Sequence, residues 1–437
     1  MQESSREEVV RAVNKANSAK DEWNFIGLGK RIEILRKLYK KLESNKEELA
    51  QFETKEMGMP IKESRVDIDS GLNYFKWYLD NASTYISPET THEDDKSIHK
   101  VYYEPRGTAA VISPWNFPFS NFIWGVTSNL VVGNTVVYKH SEDCIIFGRK
   151  MEKLVSEIGL PEGVFLAVPG GPKVGEYLVN QNVDIICFTG SSEVGQKLYK
   201  IAAEKFIPII LELGGSAPGI VFEDANVDEV VDSIYLGKFL NCGQVCDGLK
   251  RLLVHESIFD STIEKLRNYI EKKKVGDPLE ENTDIGPLVS EKQLKTLQKQ
   301  VEDAVNKGAK IVIGGKHIRG NFFEPTILTN IKKDMKVWKE EVFGPVLPIV
   351  PFSSEDEAIE LANDTEYGLG GYVFSSDKEK AQRVASKLKT GMVAINNSLY
   401  VHPFNPFGGY KKSGIGREHG KYGLRELCQI KVVSMEK

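Results

Sequence analysis

Cysteine is scarce in this 437-residue chain, which has only Cys144, Cys187, Cys242, Cys246 and Cys428. An odd, scattered set of this size does not build a disulfide framework. No CxxC pair or HExxH stretch offers the ligand spacing of a zinc site, so no metal is expected. Long apolar runs are missing too, and nothing approaches the ~18 residues of a membrane span. There is no basic block with interleaved aromatics. With a formal net charge of −5, no nucleic-acid partner is expected. The first residues, MQESSREEVVRAVNKAN, lack the apolar core of a signal peptide, and the final KVVSMEK carries no lipidation motif. The expectation is a cytoplasmic protein without a membrane partner. Internal repeats and low-complexity linkers are absent as well. The length suggests roughly two to three domains, with room for a cleft between them.

What is present is α/β alternation. Ile32, Leu35, Leu38, Tyr39 and Leu42 recur at helical spacing near the N-terminus. From residue 108 onward, short apolar runs alternate with helical stretches. The strand candidates are 109–112, 135–138, 164–168, 184–188, 208–213 and 219–222. A second series follows at 251–255, 310–315, 346–352, 370–374 and 392–396, with helices expected at 259–273 and 288–307. Such alternation predicts parallel sheets covered on both faces, arranged as two tandem α/β units. Ligands of such sheets bind beyond the carboxyl ends of the strands.

Five segments carry residues capable of chemistry. In DIICFTGSSEVG (184–195) a strand runs through Gly190 and Ser191 into a helix start. That arrangement suits a phosphate, and equally a plain N-cap. Lys139 and Glu142 follow the strand TVVY, either at a nucleotide ribose or as a solvated strand end. SPWNFPF (113–119) holds Asn116 between two prolines, where its amide can face an oxyanion or merely fill a turn. Glu212 sits inside an apolar strand that ends in Gly214–Gly215. Burial there raises a carboxyl pKa towards that of a general base, unless a cation pairs with it. Cys246 follows a glycine-containing turn and is either a nucleophile or a small buried hydrophobe.

Taken in order, Asn116, Lys139, Ser191, Glu212, Cys246 and the stretch EEVFGP (340–345) resemble the aldehyde dehydrogenase superfamily over nearly the whole chain. PWNFP, FTGSSEVG, LELGG, GQVC, EEVFGPV and the tail FGGYKKSGIGREHG all match its motifs. So does the 34-residue step from Glu212 to Cys246. The resemblance implies a Rossmann-like cofactor domain (1–85 and 107–213) and a catalytic domain (214–410). It also implies a small β-hairpin oligomerisation flap, formed by 86–106 and bridging residues 424–437. It implies oxidation of an aldehyde to an acid through a thioester on Cys246. Asn116 and the Cys246 backbone N–H would hold the oxyanion, Glu212 would activate water, and Glu418 would relay protons. Trp115, Lys139, Glu142, Gly190, Ser191, Glu341 and Phe343 would contact NAD or NADP. NAD is preferred because Glu142 would repel a 2′-phosphate. Phe117 and Trp124 would line the aldehyde channel, and Arg251 would be structural. Gly125 departs from the family, many of whose members carry a lysine there in the catalytic proton network. Short succinate-semialdehyde dehydrogenases are most similar, which makes a semialdehyde such as succinate semialdehyde the expected substrate. The alternatives are a lactaldehyde- or glyceraldehyde-type enzyme, or a CoA-acylating one. The flap implies a homodimer or homotetramer.

Overall fold

The computed structural model describes residues 3–398 and 400–437. The chain opens with the helices Arg6–Phe25, Leu28–Ser44, Lys46–Met57 and Ile61–Ile86. Ser5 starts the first by a reciprocal cap: its hydroxyl accepts from the Glu8 N–H at 3.2 Å, and the Glu8 carboxylate accepts from the Ser5 N–H at 2.7 Å. In the second helix Ile34, Leu35, Leu38 and Leu42 are buried, while Ile32 and Tyr39 pack at the margin of the same cluster. The third ends at Gly58, whose φ of 87° is the left-handed conformation that closes a helix.

A six-stranded sheet follows. Its spatial order is Gly414–Ile415, Ile209–Glu212, Ile185–Thr189, Thr108–Ile112, Thr135–Lys139 and Phe165–Ala167. All neighbours are parallel except the first pair. Thr108–Ile112, Thr135–Lys139 and Ile209–Glu212 are buried from end to end, which is why they read as continuous apolar runs.

A seven-stranded sheet holds the second half, in the order Lys310–Ile313, Thr326–Thr329, Val346–Phe352, Leu249–His255, Ala217–Val221, Tyr372–Phe374 and Ala394–Ile395. Two sequence expectations need correction here. The 219–222 run belongs to this sheet, between Leu249–His255 and Tyr372–Phe374, and not to the first series. The Thr326–Thr329 strand was not foreseen, because its four residues are flanked by polar turns and bounded by no longer apolar run. Residues 213–216, LGGS, carry the chain from the carboxyl end of Ile209–Glu212 in the first sheet to the amino end of Ala217–Val221 in the second.

The 86–106 segment forms an antiparallel hairpin, Glu89–Glu93 with Ser97–Pro105. Cys428–Glu436 pairs with its second strand along its full length. Among the described residues no helix is long and apolar enough to cross a membrane.

Candidate active site

The sharpest local feature lies just before Cys246. Asn241, Cys242 and Gly243 have φ values of 49°, 56° and 76°, three successive left-handed residues. Two of the three are not glycine, so the turn is strained and needs outside support. The Asn241 side chain donates to the Asn116 carbonyl at 2.7 Å, and its backbone N–H donates to Glu63 at 2.8 Å. In return, the Asn116 side-chain amide donates to the Gln244 carbonyl at 3.1 Å. Gln244 itself accepts from the Val289 N–H at 3.0 Å. The buried Asn116 amide is thereby fixed two residues from Cys246. Burial raises the Cys246 thiol well above its usual range, and the charges of Asp247, Glu341 and Glu212 add to that shift.

Glu212 ends the Ile209–Glu212 strand. Both its carboxylate oxygens are buried without a hydrogen-bond partner among the described residues. Burial raises its pKa well above the ordinary value; Glu418 and Asp247 raise it further and Arg417 opposes them. Glu418 is half-buried, and its desolvation pushes it up to about 7. It lines a cavity of about 10 Å³ together with Tyr78, Trp124, Gly125, Arg417 and His419. That volume admits roughly one water. Gly125 lies in a π-helical turn, Ile123–Thr127, with no room for a side chain: a Cβ would sit 2.7 Å from Val111. Trp124 stacks on Phe407 with centroids 6.4 Å apart, and its indole N–H has no partner among the described residues. Phe117 caps the short helix Pro118–Phe122 and is half-buried in the same core.

Several of the residues expected at a cofactor contact one another in pairs. Trp115 meets Phe343 edge to face at 5.6 Å. The Lys250 ammonium lies 4.8 Å over the Phe343 ring. Glu341 accepts from the Gly215 N–H at 3.1 Å. Lys139, almost fully buried, donates to the half-exposed Glu142 at 3.3 Å. Burial lowers its pKa, and Glu142 opposes that shift. The Gly190 N–H donates to the Glu212 carbonyl at 2.9 Å. Ser191 N-caps the helix Ser192–Lys205. These residues fit a nicotinamide dinucleotide. They present a helix start for a phosphate, a cation and a carboxylate for a ribose, and a glycine pair kept bare. A Cβ on Gly214 would reach within 2.3 Å of Glu341, and one on Gly215 within 2.4 Å of the Cys246 carbonyl oxygen.

The aldehyde dehydrogenase family profile matches residues 1–433. The chain belongs to this family. It is 40% identical to a betaine aldehyde dehydrogenase of Bacillus subtilis, over 99% of this chain and 90% of that protein. It is likewise 40% identical to the mitochondrial succinate-semialdehyde dehydrogenase of Mus musculus, over 97% of this chain and 82% of that one. Among solved structures, a Staphylococcus aureus betaine aldehyde dehydrogenase in complex with NAD+ superposes with a TM-score of 0.95 at 36% identity, covering 99% of this chain and 88% of its own. The chain is therefore an aldehyde dehydrogenase of mixed α/β fold.

Several residues of this family member were not singled out from its sequence. Glu63 reaches Asn241 from a helix 178 residues away, a pairing no local pattern announces. Lys250 and Lys238 are buried lysines. The first donates to the Val245 carbonyl at 2.5 Å and the second to the Val342 carbonyl at 3.1 Å. Arg251 matches its structural expectation: it is fully buried and donates to the Ser216, Leu361 and Ala362 carbonyls at 3.1, 2.9 and 2.8 Å. Asp247 did leave a signal, an acidic residue directly after the candidate nucleophile.

Proposed function

We propose that the enzyme oxidises an aldehyde to its carboxylic acid with NAD or NADP, through a thioester on Cys246. One observation carries this reading. The Asn116 amide is tied to the turn that presents Cys246, while the buried carboxyl of Glu212 has no hydrogen-bond partner among the described residues. Cys246 attacks the aldehyde carbon, and the Asn116 amide with the Cys246 N–H receives the oxyanion. When bound, the nicotinamide supplies the hydride acceptor. Glu212, a carboxyl whose pKa burial raises, draws a proton from the attacking water. Glu418 passes that proton outward. Lys139, Glu142, Gly190, Ser191, Trp115, Glu341 and Phe343 would hold the dinucleotide, and Phe117 and Trp124 the aldehyde. Glu142 favours NAD, since a carboxylate accepts from ribose hydroxyls and repels a 2′-phosphate.

Glu212 also supports hydrolysis over transfer to CoA. The flap supports a homodimer or homotetramer, because Cys428–Glu436 presents a free sheet edge. For the substrate, the relatives' names divide between a carboxylated aldehyde, as in the succinate semialdehyde suggested by the sequence, and a cationic one. The reaction is tested by incubating the purified enzyme with an aldehyde panel and each nucleotide, with and without CoA. Acid and reduced nucleotide should form in equal amounts without CoA, and Cys246→Ala should form neither. Acid formation that needs CoA would overturn the hydrolytic reading.

A further inference from the structure

Asp247 has no part in the reaction above, yet it touches the nucleophile. Its Oδ1 lies 3.8 Å from the Cys246 sulfur. The residue is 9% exposed. Its carbonyl oxygen accepts from the hydroxyls of Tyr372 at 2.9 Å and Tyr400 at 3.0 Å. Among the described residues it forms no ion pair. Lys250 is the cation that influences it, and that ammonium is committed to the Gly243 and Val245 carbonyls beneath the Phe343 ring. A buried carboxylate without a counter-ion is costly, and this one also opposes ionisation of the Cys246 thiol.

The surroundings indicate what offsets that cost. The rings of Tyr372 and Tyr400, whose hydroxyls both reach Asp247, lie beside it with centroids 5.5 Å apart. Tyr74, whose hydroxyl has no hydrogen-bond partner among the described residues, belongs to a second aromatic group around Trp124. The Tyr74 ring lies 5.7 Å from Trp124 and 4.7 Å from His419, and Phe407 completes the group. His419 is buried and pushed down to about 3, so it adds no positive charge. Aromatic faces beside a carboxylate form an environment that attracts a cation and repels an anion.

We propose that Asp247 is the charge selector of the aldehyde channel, favouring short aldehydes with an ammonium group a few carbons from the carbonyl over those with a carboxylate. This rests on the aldehyde-oxidising reading above and turns it away from succinate semialdehyde. A carboxylated substrate would place a second negative charge against Asp247, whereas an ammonium group neutralises it and leaves the thiol freer to ionise.

The test compares 3-aminopropanal, butanal and succinate semialdehyde with the intact enzyme and with Asp247→Asn. For the wild type, kcat/KM should be highest for the amine and lowest for the acid. In Asp247→Asn the amine-to-butanal ratio should fall by about tenfold or more, the equivalent of roughly one close charge contact. A change confined to packing would lower both substrates together. A wild type that prefers succinate semialdehyde, or a variant that keeps the ratio, overturns the proposal while leaving aldehyde oxidation intact. If none of the three aldehydes is oxidised, both readings fall. Should the variant not fold, inhibition of the wild type decides: propylammonium must compete better than propionate, and the reverse order overturns the assignment.

Discussion

The Glu63 carboxylate accepts the backbone N–H of Asn241 at 2.8 Å and so braces the left-handed turn that leads to Cys246. Burial pushes Glu63 from an ordinary 4.5 up to about 8. The folded state therefore binds the proton more tightly than the unfolded one. The associated stability is complete below about 4.5, declines as pH rises, and is gone above about 8. Glu63→Gln keeps an acceptor for the N–H but cannot ionise. Its melting temperature should fall less than that of the wild type between about pH 5 and about pH 9, a span that covers most of this decline. Glu63→Ala removes the acceptor and should lower both stability and kcat. Calorimetry across that range is the check, and an unchanged slope in Glu63→Gln would refute the assignment.

Hydrolysis should fail separately from oxidation. Glu212→Gln preserves shape and burial but removes the base. Its first turnover should release one equivalent of reduced nucleotide per active site, followed by a steady rate lower by roughly 100- to 10,000-fold. Because burial raises Glu212, wild-type deacylation should quicken with rising pH, and the variant should lose that dependence. Rapid-mixing absorbance measures both. A variant with no initial burst would mean that Glu212 acts before the thioester forms.

The outcome for the sequence follows from how each residue is held. Strands buried on both faces, such as Thr108–Ile112 and Thr135–Lys139, were readable because their apolar runs are continuous. Asn116, Glu212, Cys246 and Glu341 lay in motifs whose order suggested a common site, and the fold brings these motifs together. Glu63 was hidden because its partner lies in another part of the chain. The buried lysines Lys238 and Lys250 were hidden because a lysine ordinarily signals surface. Only the folded chain shows the carbonyls that receive them. The 219–222 run was legible as a strand, and the family resemblance put it in the catalytic domain, but its apolar pattern alone grouped it with the first series. Sheet membership depends on where the chain crosses over, and LGGS crosses without a helix.

Nucleotide choice should depend on Glu142. Lys139 already shares its ammonium with the His140 carbonyl at 3.1 Å and with Glu142 at 3.3 Å. Removing the carboxylate charge in Glu142→Gln frees the lysine for a 2′-phosphate and ends the repulsion. The ratio of kcat/KM for NADP to that for NAD should rise about tenfold, the equivalent of roughly 1.4 kcal/mol. Parallel saturation curves with the two nucleotides measure it. A fall in that ratio would show that Glu142 does not face the ribose.

The last prediction concerns the flap. Cys428–Glu436 lies at one edge of its three-stranded sheet, with the other edge of the strand unpaired. Ile430 and Val432 stand two residues apart, so they share a face, and they are 66% and 64% exposed. Apolar side chains beside an open strand edge invite pairing with a second chain. Changing both to lysine leaves the Ser97–Pro105 ladder in place, since those hydrogen bonds come from the backbone. It sets positive charges in rows at the proposed contact. Light scattering should therefore give a multiple of the 49.0 kDa chain mass for the wild type and a smaller particle for the double variant. A wild type that scatters as a single chain would remove the flap from any role in assembly. A variant that keeps the wild-type mass would move the contact to another surface.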